Sequence, residues 1–245
     1  MKSARPGQRE RLIVGLSILA VAAFLSVLLP AATALPAAQA RADLKALLDK
    51  GAEVFGLSRG ETPVQRERFN WLPTDVTIEA DVDRAFEAII SQLGHVDLLV
   101  NNAGIGFFRE VESIEPTDWR RLIDTNLTAA FLCSRKAVLS MKARKSGMIV
   151  NVGSVAGKRG IKGGTAYCAS KFAINGFSES LMEELREFGI RVTCINPGSV
   201  RTPFFDHAGI QSKKYLQPDD VARLIVSLAR LPDGMLPDEL TVRPL

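Results

Sequence analysis

Three side chains in this sequence have the types and spacing to move a proton: Ser154, Tyr167 and Lys171. They lie in the stretches S-V-A-G and A-Y-C-A-S-K, the lysine four residues after the tyrosine and the serine thirteen before it. Positions i and i+4 share a helix face, so a helix here holds the Lys171 ammonium close to the Tyr167 phenol. A neighbouring cation favours phenolate, and the tyrosine pKa is expected to fall towards working pH. Such a phenol can give or take a proton at a carbonyl or hydroxyl oxygen. Ser154 can donate a second hydrogen bond to the same oxygen. Taken alone, the Y-x-x-x-K spacing also suits a solvated helix face, so the surrounding chain decides its meaning.

The elements that must position these groups follow from hydrophobic periodicity. Leu44, Leu47 and Leu48 predict a short helix stopping at Gly51, and residues 52–57 and 71–76 read as strands. Val82, Phe86, Ile89, Ile90 and Leu93 keep helical spacing, residues 98–101 form a buried strand, and Trp119 to Phe131 mark a long helix. A strand over 148–152 ends just before Ser154, and a helix over 167–188 carries Tyr167 and Lys171. A strand (191–196), a helix (219–231) and a last strand (240–243) complete the pattern. Alternating helices and near-continuous apolar strands predict a single α/β domain with a doubly wound parallel sheet. Ligands bind beyond the carboxyl ends of such strands. Asn101, Ser154 and Pro197 lie at or just past strand ends, so they should converge on one cleft.

Composition narrows the classes. A chain of 245 residues, 47% apolar and 24% charged, suits one globular domain. The net charge of +4 comes without a dense Lys/Arg cluster, so no nucleic-acid partner is expected. Cys133, Cys168 and Cys194 are too widely spaced for a metal site and read as buried free thiols in a reducing compartment. His95 and His207 are likewise too few and too far apart to hold a metal.

Further motifs stand in order around the Tyr-Lys pair. Asn101-Asn102-Ala103-Gly104 follows the apolar run 96–100, Asn126 sits in D-T-N-L, and Pro197-Gly198 follows the strand 191–196. From about Asp43 to the C-terminus this set resembles the short-chain dehydrogenase/reductase family. The resemblance implies a Rossmann-like fold and an oxidoreductase that moves hydride between a nicotinamide dinucleotide and a carbonyl/alcohol pair. It implies that Tyr167 exchanges the proton, Ser154 steadies the substrate oxygen, and Lys171 lowers the tyrosine pKa and grips the nicotinamide ribose. Asn126 would hold a water linking Lys171 to solvent, although a helix-interior amide bonded to backbone is the plain alternative. Asn102, Ala103 and Gly104 would pack near the adenosine half, and Asp75 and Val76 near adenine. Pro197, Gly198, Val200 and Thr202 would line the nicotinamide side. Arg59 follows the second strand, where enzymes using NAD usually place an acid for the ribose hydroxyls. An arginine there can pair with a 2′-phosphate, so NADP(H) is favoured over NAD(H). Phe107, Phe108, Phe204 and Phe205 suggest an apolar or ring-bearing substrate, or core packing. A cytoplasmic homodimer or homotetramer, built through helices spanning 117–143 and 166–188, is implied as well.

The N-terminus departs from the family. Its first strand should run into T-G-x-x-x-G-x-G, where glycines let the backbone approach a pyrophosphate. Here no glycine stands between Gly15 and Gly51, and Ala34, Ala38 and Ala40 fall where glycines belong. Residues 1–40 instead read as a hydrophobic segment ahead of the catalytic domain 41–245. Basic residues precede an uncharged run over 12–38, and Ala38-Gln39-Ala40 resembles a cleavage site. That run is long enough to cross a bilayer, and through it alone the chain could be membrane-anchored. Three readings stay open: a signal or anchor, an aberrant first strand and helix, or a natural start that differs from this one. Simple cleavage would leave the neighbouring strands of a mid-sheet position without hydrogen-bond partners. A retained segment is expected to fill that slot from within residues 24–33, with Pro30 as a weakness. Loss of the glycine loop also raises a different class, a non-catalytic binding or subunit-interaction protein of the same fold.

Overall fold

A computed structural model describes residues 20–24 (backbone only), 45, 47–49, 52–60, 67–202 and 212–245. Its strands are β1 (Ala20–Phe24), β2 (Glu53–Ser58), β3 (Phe69–Pro73), β4 (Leu98–Asn101), β5 (Gly147–Val152), β6 (Ile190–Pro197) and β7 (Glu239–Val242). They form one sheet in the order β3-β2-β1-β4-β5-β6-β7, with every neighbouring pair parallel. The helices are α1 (Glu79–Leu93), α2 (Pro116–Ile123), α3 (Ala129–Arg144), α4 (Thr165–Leu185) and α5 (Pro218–Ala229). Lys45, Leu47 and Leu48 are helical too, as their spacing predicts.

Alternate residues of the strands face opposite layers. Leu99, Ile149 and Val192 pack with Phe86, Cys133 and Met182 on one side. Leu98, Val100 and Val150 pack with Leu47, Val221 and Ile225 on the other. Burial on both faces explains why these strands read as continuous apolar runs rather than alternating ones. The sheet winds outward in two directions from β1 and β4, which puts the switch point, and hence the crevice, between their carboxyl ends.

Three elements differ from the sequence reading. The central strand is Ala20–Phe24, paired with β2 through Ala20–Glu53 to Phe24–Leu57 and with β4 through Val21–Leu98 to Ala23–Val100. It lies upstream of the expected 24–33. A strand bonded on both sides needs all its ladder donors, and an uncharged run ahead of Pro30 supplies them. The third strand is Phe69–Pro73 rather than 71–76. Pro73 ends it, and the Asp75 carboxylate then turns the chain by accepting the Thr77 N–H at 3.0 Å. The long helix is broken by a π-helical turn over Asp124–Thr128, which lies between α2 and α3 and carries Asn126. The alanine-bearing stretch 33–41, and the rest of the apolar run beyond 20–24, lie outside the described residues. Among the described residues no helix is long and apolar enough to cross a membrane.

Candidate active site

At the end of β5 the chain reaches Gly153 and then Ser154, whose extended backbone opens a 3₁₀ turn over Val155–Gly157. A β-carbon on Gly153 would stand 2.2 Å from Asn196 Oδ1, and one on Gly157 would stand 2.3 Å from the Lys171 carbonyl. Glycine at both places lets the Ser154 turn sit directly against β6 and α4. The Ser154 hydroxyl accepts a hydrogen bond from Ala156 N–H at 3.1 Å. It also hydrogen-bonds the Tyr167 phenol, which projects from the first turn of α4. One turn further, Lys171 Nζ donates to the Val152 carbonyl at 2.8 Å and lies 5.9 Å from the centroid of the Tyr167 ring. Ser154, Tyr167 and Lys171 therefore meet at the carboxyl end of β5.

Both ionisable groups are buried, Tyr167 to 5% exposure and Lys171 to 4%. Burial pushes the phenol up to about 12, against a smaller lowering by the Ser154 hydrogen bond. Burial also pulls the lysine down to about 8. The expected fall in the tyrosine pKa is thus reversed. Desolvation disfavours phenolate more than its polar neighbours favour it. The lysine, meanwhile, directs a donor at the Val152 carbonyl. At neutral pH the pair is a protonated phenol beside an ammonium.

Behind Ser154 lies an amide relay that the sequence reading missed. Asn175 Nδ2 donates to the carbonyls of Gly157 (3.0 Å) and Lys171 (3.1 Å), which fixes its orientation. Its Oδ1 therefore faces Asn196 Nδ2 at 3.0 Å, and Asn196 Oδ1 accepts the Ser154 N–H at 3.0 Å. Cys194 Sγ adds a bond to Asn175 Oδ1 at 3.0 Å. The signals were present: Asn196 precedes Pro197-Gly198, and Asn175 stands four residues after Lys171 on one helix face.

Asn126 takes the plain alternative for its side chain. Its Nδ2 donates to the Ile105 carbonyl and to Ser170 Oγ, each at 2.9 Å, and its Oδ1 accepts Ile105 N–H at 2.7 Å. The amide thus clamps the loop after β4 to α4. A β-carbon on Gly104 would lie 3.5 Å from that amide and 3.8 Å from Lys171 Nζ, so the clamp borders the lysine.

Two clefts follow the carboxyl edge of the sheet. One, of about 360 Å³, is lined by Arg59, Asp75, Val76, Arg120 and Arg121. Arg59 approaches Asp75 at 3.8 Å, a loose and half-exposed pairing. The other, of about 270 Å³, holds Ser154, Tyr167 and Lys171. Asn102 and Gly104 form one side of it, and Pro197, Gly198, Val200 and Thr202 another. Ala103 is turned away, against the apolar core and a small void of about 10 Å³ beside Asn126. Phe108 borders the second cleft and tilts against Tyr167, ring centroids 5.8 Å apart. Phe107 packs into the cluster of Leu122 and Ala166, and Phe204 and Phe205 lie outside the described residues. Two buried donors on residues that line these clefts, Asn102 Nδ2 and Arg121 Nε, have no hydrogen-bond partner among the described residues.

The profile of the family described as short chain dehydrogenase matches residues 39–212. The chain belongs to that family. An uncharacterized oxidoreductase of Staphylococcus epidermidis is 28% identical over 207 residues, 82% of this chain and 90% of its own. Among solved structures, a metagenomic short-chain oxidoreductase in complex with NADP is 30% identical at a TM-score of 0.77, covering 94% of this chain and 98% of its own. The 3-ketoacyl-(acyl-carrier-protein) reductase of Brucella melitensis, complexed with NADH, is 26% identical at 0.80, covering 93% and 96%. The alcohol dehydrogenase of the archaeon Thermococcus sibiricus, complexed with 5-hydroxy-NADP, shares the fold at 0.79 with 22% identity over 93% and 97%. Membership makes this chain an NAD(P)-dependent oxidoreductase with a single Rossmann-like domain.

Proposed function

We propose that the chain is an NADP(H)-dependent reductase that converts a ketone or aldehyde to the alcohol, with Tyr167 as proton donor. The carrying observation is a buried phenol, held protonated and hydrogen-bonded to Ser154, with a buried lysine one helical turn away. A neutral phenol of pKa about 12 gives its proton readily to the more basic alkoxide oxygen that forms as a carbonyl is reduced. Ser154 donates to that oxygen, its position set by Asn196 through its own N–H and by Ala156 at its hydroxyl. The Lys171 ammonium stabilises the tyrosinate left behind. Asn126 holds the neighbouring loop rather than reacting.

The donor set fits a nicotinamide dinucleotide. Arg59, Asp75 and Val76 would hold the adenosine end, with the arginine against a 2′-phosphate. Asn102 and Gly104, expected near the adenosine half, instead line the cleft of Tyr167, so Asn102, whose Nδ2 is an orphaned buried donor, would meet the other half together with Gly104 and Lys171. Pro197, Gly198, Val200 and Thr202 would flank the nicotinamide. The cofactor, when bound, supplies the hydride that the carbonyl carbon receives. NADP in one of the similar structures and 5-hydroxy-NADP in another support the preference, and NADH in a third keeps NAD as a competitor.

The exposed Phe131 and Leu139 of α3 and Phe172 of α4 support a homodimer or homotetramer, which light scattering on the purified chain checks. Three free thiols, all buried, suit a cytoplasmic enzyme. The alanines at 34, 38 and 40 favour the competing reading of a fold that no longer binds dinucleotide. Titrating NADPH into the full chain by fluorescence, then following NADPH oxidation with a panel of ketones and aldehydes, separates the two. Saturable binding with turnover is expected. Absence of both assigns the chain to the non-catalytic class.

A further inference from the structure

We infer that this reductase takes carbonyl substrates carrying an anionic group, with Arg159 as the counter-charge. The inference rests on the reductase reading above and names its substrate class. Among the described residues lining the cleft of Ser154 and Tyr167, none is Asp or Glu. Two are cationic, Lys171 and Arg159. Lys171 is buried and bonded to the Val152 carbonyl. Arg159 is exposed and, like Lys162 outside the cleft, has no ion-pair partner among the described residues, whereas two other cations nearby are neutralised. Lys158 pairs with Glu239, and Arg109 pairs with Asp118 at 2.6 Å.

The position of Arg159 is tied to the reacting group. Its carbonyl accepts a weak bond from Cys168 Sγ at 3.8 Å, and Cys168 directly follows Tyr167. The walls between are apolar, with Phe108 and Ile161 bordering the same cleft. A cleft of one charge sign with apolar walls concentrates ligands of the opposite sign. A guanidinium fork suits a carboxylate or phosphate in two-point contact. The matching ligand has an apolar or aromatic body, a carbonyl at Tyr167 and an anion towards the mouth.

The test compares acetophenone with 3- and 4-acetylbenzoate on the full chain with NADPH. At low salt the better carboxylate is expected to exceed the neutral ketone in kcat/KM by about tenfold. That advantage should shrink at molar salt, where the screening length is about 3 Å. Arg159→Gln should bring the ratio close to one. Lys162→Gln, which removes an exposed charge from the same loop outside the cleft, should keep it. A ratio that survives Arg159→Gln overturns the inference. So does a fall in NADPH affinity with the ratio unchanged, since Arg159 would then serve the cofactor. If neither ketone is reduced, the reductase reading fails by itself. Calorimetric titration of 4-acetylbenzoate then decides the site alone: binding lost in Arg159→Gln supports it, and equal binding or none to the wild type refutes it.

Discussion

Replacing Lys171 with methionine removes a charge from a place the fold keeps nearly dry. The lysine is 4% exposed and held near about 8, against an ordinary 10.5. An unfolded lysine stays charged up to its ordinary value, whereas the folded chain sheds the proton earlier. Below pH 8 the folded state therefore carries a buried ammonium at a cost of about 3 kcal/mol. Between pH 8 and 10.5 the unfolded chain binds more protons than the folded one, so stability rises with pH and the cost disappears. Methionine has no such term but loses the 2.8 Å hydrogen bond to Val152, worth about 1–2 kcal/mol once the stranded carbonyl is counted. Lys171→Met is thus expected to be about 1–2 kcal/mol more stable than wild type at pH 7. Near pH 10, where less than about 1 kcal/mol of that cost remains, it should be less stable by up to about 1 kcal/mol. Urea denaturation of both chains at a series of pH values, followed by circular dichroism, reads this as a difference in which shared groups cancel. A difference that stays flat from pH 7 to pH 10 would refute the reasoning.

The same two groups set the pH profile of catalysis. Tyr167 keeps its proton up to about 12, but Lys171 loses its charge above about 8, so kcat/KM for carbonyl reduction should decline above pH 8. Lys171→Arg, which cannot deprotonate in this range, should carry the decline to higher pH. Asn196→Ala strands the Ser154 N–H and leaves Asn175 Oδ1 with Cys194 Sγ alone, so it should cost about 1–3 kcal/mol in chemical denaturation. It should also lower kcat far more than it changes the KM for NADPH in steady-state kinetics. Arg59→Leu should weaken NADPH binding by about tenfold or more, for a lost charge-assisted bond of about 1.5–3 kcal/mol, and leave NADH unchanged in a fluorescence titration.

The convergence of Ser154, Tyr167 and Lys171 and most of the elements were legible in the sequence because both obey periodicities. Lys171 stands one helical turn from Tyr167, and Ser154 follows a run whose residues all face a core. Strand β1 was harder, because the uncharged run over 12–38 offers many registers and only the pairing with β2 and β4 selects 20–24. The direction of the Tyr167 shift was misread because spacing reports a neighbouring charge but not the loss of water, and here burial outweighs it. The Asn175–Asn196 relay was missed for another reason. Each amide is ordinary in its own element, and their link appears only when α4 lies against β6. Asn126 shows the converse, since its motif was clear but its bonds to Ile105 make its side chain a clamp.

The most direct measurement pairs wild type with Tyr167→Phe, recording NADPH affinity and the rate of ketone reduction on the same preparations. Loss of one positioned proton donor typically costs about 10²–10⁴ in rate. The account predicts that both chains bind NADPH alike and that only the variant loses turnover by that factor. Equal rates in the two chains, or turnover in neither despite tight NADPH binding, would contradict it.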